Sequence, residues 1–132
     1  MEQPKRQNQK DTRVRQFDLE KRTATFSASV RRLVTQLSKT TWNIEDGKQL
    51  IRASGSVGAN YIEANESLGR KDFVHHLRIC RKEVKESRYW LKLVSINNTE
   101  LERERALLIQ EATELLHIFN AGIRTIEGKN EK

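Results

Sequence analysis

Five cations recur along one stretch of this 132-residue chain: Arg78, Arg81, Lys85, Arg88 and Lys92. Their 3,4,3,4 spacing puts them on one side of a helix, over roughly 21 Å at 1.5 Å per residue. A row of this kind can track the phosphates of a nucleic-acid strand. It can equally be a solvated face, neutralised by Glu83 and Glu86 or by acids of a neighbouring chain. Tyr89 and Trp90 lie beside it, and Trp90 is expected to pack at a helix seam rather than stack on a base.

Asn60 and Glu63, three apart, share a helix face in a segment with no other charge between Arg52 and Glu63. A buried carboxylate must be paired, so the expectation is a structural polar clamp, with Glu63 meeting a cation of another helix and Asn60 bonding a backbone group or a hydroxyl.

Catalytic chemistry finds little support. His75 and His76 are adjacent, so they point about 100° apart on a helix and form no one-face metal pair. His117 falls on another helix, and no His, Cys and Asp residues have metal-ligand spacing. Cys80 sits within an apolar row and reads as a packed small hydrophobe. Gly55 and Gly58 fall inside a helix rather than after a strand, so they form no phosphate loop. The expectation is a protein without catalytic residues, metal or cofactor.

These residues must be positioned by helices. Phe26, Val30, Leu33 and Leu37 define a first helix over about 17–39. A second covers about 44–66, with Asn43 as its expected N-cap. A third covers about 70–96, with Gly69 as N-cap, Asp72 in its first turn and the unbroken core row Phe73, Leu77, Cys80, Val84, Ser87, Leu91 and Val94. A fourth covers about 100–127, capped by Asn98 or Thr99, with the row Leu101, Arg105, Leu108, Ala112, Leu115, Phe119, Gly122 and Ile126. Four helices with short connections predict an all-α, up-down-up-down four-helix bundle over 17–128. Residues 1–16 read as a disordered basic arm and 129–132 as a frayed tail.

The second helix is small and neutral on three adjacent rows, wider than the single stripe a lone bundle needs. Gly55 and Gly58 leave room for a close backbone, and each Gly costs roughly 1 kcal/mol against Ala in a helix. A second copy of the chain is the expected cover, giving a homo-oligomer; a monomer with this helix sunk in its own core is the alternative.

Charge and composition set the setting. The net charge is +7 in a chain that is 33% charged. Residues 70–98 hold eight basic residues against three acids, a net +5, while 99–128 carry a net −3. An anionic partner, RNA or DNA, fits this balance. A single Cys suits a reducing compartment, and there is no secretory signal or membrane span, so a soluble cytoplasmic protein is expected.

The segments "SVGANYIEANES" (56–67) and "GRKDFVHHLRICRKEVKESRYWLKL" (69–93) resemble the bacterial four-helix bundle proteins encoded in intervening sequences of 23S rRNA genes, also called S23 ribosomal proteins. That family is similar in fold to the accessory variability protein of diversity-generating retroelements, a basic homopentamer that engages nucleic acid. The resemblance implies a ring, with five copies, and a non-enzymatic accessory role beside RNA or DNA. A protein-interaction scaffold without nucleic acid is the alternative function.

Overall fold

The computed structural model describes residues 4–131, with side chains over 19–128. Four helices follow in order: α1 (Pro4–Thr35), α2 (Thr41–Asn65), α3 (Arg70–Leu93) and α4 (Thr99–Glu131). α2 packs between α1 and α3, α3 packs between α2 and α4, and α1 and α4 meet least closely. This is the up-down-up-down bundle that the apolar rows predict.

The core follows those rows. Phe26, Val30 and Leu33 of α1 and Leu37 just beyond it are buried, as are Leu77, Cys80, Val84, Ser87, Leu91 and Val94 along and just beyond α3. Leu101, Leu108, Ala112, Leu115 and Phe119 complete it from α4, with Leu116 and Ile123 beside them. Tyr61 and Phe119 meet as tilted rings, centroids 6.2 Å apart, within the range where aromatic pairs attract.

Several helix ends differ from the sequence expectation. α1 begins at Pro4, whereas a disordered arm was expected over 1–16; residues 1–3 lie outside the described residues. Proline is favoured at a first helical position, and the segment behind it is rich in Lys, Arg and Gln, which lose little rotamer freedom in a helix. α4 runs on to Glu131 through most of the expected tail, and Lys132 lies outside the described residues. Thr40, not Asn43, caps α2, its hydroxyl accepting from the Asn43 backbone N–H at 3.1 Å. Gly69 does precede α3, with no side chain to cap it. Asn98 caps α4, its Oδ1 accepting from Glu100 N at 2.8 Å and Leu101 N at 3.1 Å.

α2 has a helix on each flank, which covers part of its neutral surface, while Ala59 and Ile62 stay exposed. A Cβ built on Gly58 would lie 2.9 Å from Thr23 Oγ1 of α1, and one on Gly47 would lie 3.0 Å from Val34 Cγ1. The close approach at Gly58 is thus made within the chain, by α1. Gly55 differs: its nearest neighbour would be Ser27 Oγ at 3.7 Å, ordinary contact.

Candidate nucleic-acid interface

α3 carries the cations, and its core row decides which of them face water. Leu77, Val84 and Leu91 occupy one heptad position, and Cys80, Ser87 and Val94 the other. Residues following the first set (Arg78, Lys85, Lys92) turn outward and are exposed; those following the second (Arg81, Arg88) are half-buried against α4. The predicted row of five is therefore split between two environments.

Arg81 donates from Nη1 to Asn120 Oδ1 at 3.2 Å, and Arg88 from Nη1 to Thr113 Oγ1 at 3.1 Å. Both bonds cross the α3–α4 seam. Arg78 pairs with Glu127 at the far end of α4. Lys85 and Lys92 have no carboxylate partner among the described residues.

The water-facing row of α3 is instead Lys71, His75, Arg78, Lys82, Lys85, Tyr89 and Lys92, all exposed and spaced 4,3,4,3,4,3. Sequence reasoning left Lys71, His75 and Lys82 out of the row and placed Tyr89 only beside it. The signal was available: they lie opposite the core row, whereas a row one residue after the core straddles an interface. Lys82, like Lys85 and Lys92, has no carboxylate partner among the described residues.

Within this row only Arg78 has a carboxylate partner among the described residues, Glu127; the other acids of α4 and α3 with a cation partner hold cations outside the row. Arg22 of α1 reaches Glu111 with Nη2 at 2.7 Å and Nε at 3.0 Å, and Glu114 at 3.2 Å. Glu102 holds Arg105 at 2.7 Å, and Arg105 also donates to the carbonyls of Leu91 and Val94, closing the C-terminal end of α3. Arg105, placed in an apolar row by its spacing, is thus a half-buried helix-end donor. Glu86 faces Arg52 of α2 at 3.1 Å.

Of the polar clamp expected at Asn60 and Glu63, the Asn60 half is present, bonded to a backbone group and a hydroxyl, and the Glu63 half is not. Glu63 is exposed, with no cation paired to it among the described residues, and Asn60 Nδ2 donates within its own helix, to Ser56 O at 2.9 Å and Ser56 Oγ at 3.1 Å. The reason is rotational: Tyr61 and Ala64 face the core, which turns Ile62 and Glu63 outward. The buried carboxylate belongs to Glu83 of α3, whose side chain is only 8% exposed and lies 3.5 Å from Arg52 Nη1.

Cys80 is fully buried, with Sγ 3.4 Å from the Val57 carbonyl, and burial pushes its thiol up to about 12. Such a thiol is a poor nucleophile. His76 approaches Asp72 at 3.6 Å, and His75 lies edge-on to it with ring centroids 5.3 Å apart. Among the described residues no group of three His, Cys, Asp or Glu side chains is placed to hold a metal, and no helix is long and apolar enough to cross a membrane.

The model of the family described as 23S rRNA-intervening sequence protein matches residues 15–121. The chain belongs to that family. Its fold is shared with a solved member of the S23 ribosomal protein family from Bacteroides thetaiotaomicron, a protein of unknown function: TM-score 0.70, 26% identity, with 80% of this chain and 97% of the other covered. Among curated proteins no relative matches the chain. The segments that carried the resemblance, 56–67 and 69–93, fall inside the matched range, so the 23S rRNA-intervening sequence protein family match spans all of α3, the helix that carries the cationic face.

Proposed function

We propose that this protein is a non-enzymatic accessory factor that holds RNA or DNA against the outward face of α3. The observation that carries this reading is the water-facing row from Lys71 to Lys92, in which no carboxylate pairs with Lys82, Lys85 or Lys92 among the described residues. Its ends lie 21 residue steps apart, about 32 Å, long enough to follow several phosphates of one strand. The family's description points to an rRNA gene, a setting that suits an RNA-associated role and names no binding partner.

Binding of this kind is weak in sequence preference and steep in salt, because phosphate contacts release counterions. Replacing Lys82, Lys85 and Lys92 together by Gln lowers the salt slope by roughly 2–3 units if each lysine meets one phosphate. A wild type that binds nothing at low salt, or a triple variant with an unchanged slope, removes the proposal.

A second reading, a protein-interaction scaffold, is favoured by a groove of about 480 Å³ between α1 and α2. Ala24, Ser27 and Ala28 line it from one side, and Gly55, Ala59 and the half-exposed Ile62 from the other, with Glu20 and Arg31 also on its wall. A second copy is the occupant this reading takes, since it brings an acid and a cation of its own to the same wall. Self-association also repeats the cationic face around an assembly, which strengthens nucleic-acid binding by avidity. Light scattering that gives only the 15.4 kDa chain mass at micromolar protein excludes it.

A further inference from the structure

An aromatic ring interrupts the cationic row. Tyr89 occupies the position between Lys85 and Lys92 where the spacing calls for another cation, and it is 57% exposed. Its ring is not loose: it meets Trp90 edge-on, centroids 5.0 Å apart at 73°, and Trp90 packs against the core. Leu93, one turn on, is also half-exposed, so ring and leucine make an apolar island within the row. Trp42, exposed as well, is fixed at the same end of α3 by its indole N–H donating to Ser95 Oγ at 3.0 Å.

The consequence depends on what lies along the row. The outside of a duplex offers phosphate and sugar, and its bases are stacked away from a flat protein face, so a tyrosine in line with phosphate-binding lysines meets only charge. A single strand turns its bases out, and an aromatic set among cations then receives a base while the lysines hold the backbone.

We propose that the α3 face is a single-strand surface, with Tyr89 as the stacking platform for an unpaired base between the phosphate contacts of Lys82, Lys85 and Lys92. This rests on the nucleic-acid reading above and specifies its ligand as unpaired RNA or DNA.

The test is fluorescence anisotropy of the full chain with a labelled mixed-sequence oligonucleotide of about 20 nucleotides, as a single strand and as the matching duplex, in RNA and DNA forms. Wild type binds the single strand more tightly than the duplex. Tyr89→Ala weakens single-strand binding by roughly 5- to 100-fold, the range expected for one lost base stack, and leaves duplex binding and the salt slope as they were. Tyr89→Phe retains the single-strand preference, because the ring and not the hydroxyl does the stacking. Circular dichroism confirms that each variant is folded. Equal affinity for the two forms, or single-strand binding unaffected by Tyr89→Ala, overturns the stacking proposal while leaving the lysine row in place. No binding of either form at low salt overturns both.

Discussion

Asn43 holds the backbone of Ser95 by both of that residue's polar groups: its Oδ1 accepts from Ser95 N at 2.9 Å and its Nδ2 donates to Ser95 O at 3.1 Å. The same Nδ2 donates to Ser38 O at 3.0 Å. One buried side chain thereby ties the α1–α2 connection to the α3–α4 connection, 52 residues away. Asn43→Ala leaves these backbone groups without a partner in a closed site, and a loss of about 2–3 kcal/mol in denaturant unfolding is expected. Asn43→Asp keeps the acceptor but loses the donor, so it recovers only part of the loss.

The place of Asn43 shows what the sequence could reveal. Its local signal, a small polar residue at a helix start, pointed to capping, and the capping is done by Thr40 three residues earlier. The partner that fixes its role is remote in sequence, and no spacing rule reaches it. The core rows were legible because apolar periodicity is a property of each helix alone, and Cys80 followed from its place in one of them. The environment of a charge is a property of two helices. Asn60 and Glu63 looked buried because their segment is neutral, yet Tyr61 and Ala64 set the rotation of α2 and turn Glu63 outward. The single row of five cations failed for the same reason, since only the packing of α4 separates Arg81 and Arg88 from Lys85 and Lys92.

Glu83 and Arg52 give an asymmetric pair. The carboxylate is buried, with Oε1 lacking a hydrogen bond, while the guanidinium is half-exposed and shared with Glu86. Arg52→Ala strands the buried charge and costs about 1–2 kcal/mol, less than for a fully enclosed pair because water reaches the arginine side. Glu83→Gln removes the charge and costs less. In a double-mutant cycle the combined loss is smaller than the sum of the single losses, measured by chemical denaturation.

Two glycines of α2 respond in opposite directions to alanine. At Gly58 the new methyl meets Thr23 Oγ1 at 2.9 Å, and that hydroxyl is held by bonds to Leu19 O at 2.9 Å and Glu20 O at 3.1 Å, so it yields poorly. Overpacking of this kind costs about 1–3 kcal/mol and outweighs the helix-propensity gain of roughly 1 kcal/mol. Gly55→Ala has room and keeps the gain, so its melting temperature rises by a few degrees while that of Gly58→Ala falls.

Cys80 links stability to alkaline pH. Burial raises the folded-state thiol from 9.0 to about 12, so the unfolded chain releases its proton first. The contribution is fully present below pH 9 and declines as pH rises toward the folded value, by up to about 1.4 kcal/mol per unit. Between neutral pH and a value about one unit above the ordinary thiol, wild type loses roughly 1 kcal/mol more stability than Cys80→Ala. Taking the difference between the two proteins removes most of the titration of Tyr61, whose phenol is raised mainly by burial and only in small part by the Cys80 charge. A disulfide-exchange reagent labels the native thiol only as fast as the bundle opens.

The division of α3's cations predicts two separable phenotypes. Arg81 and Arg88 donate across the seam to Asn120 and Thr113, so replacing both by Gln removes charge-assisted bonds and lowers stability by about 1–2 kcal/mol. Their guanidinium groups are turned toward α4, and the salt slope of nucleic-acid binding falls by less than about one unit. Replacing Lys82, Lys85 and Lys92 does the reverse, because these exposed side chains pair with no carboxylate among the described residues: the unfolding midpoint stays near wild type while the salt slope drops. The two measurements place the phosphate contacts on one side of the helix or the other. If the arginine pair carries the salt dependence and the lysines do not, the strand lies along the α3–α4 seam instead of the outward face, and Tyr89 is too far round the helix to meet a base.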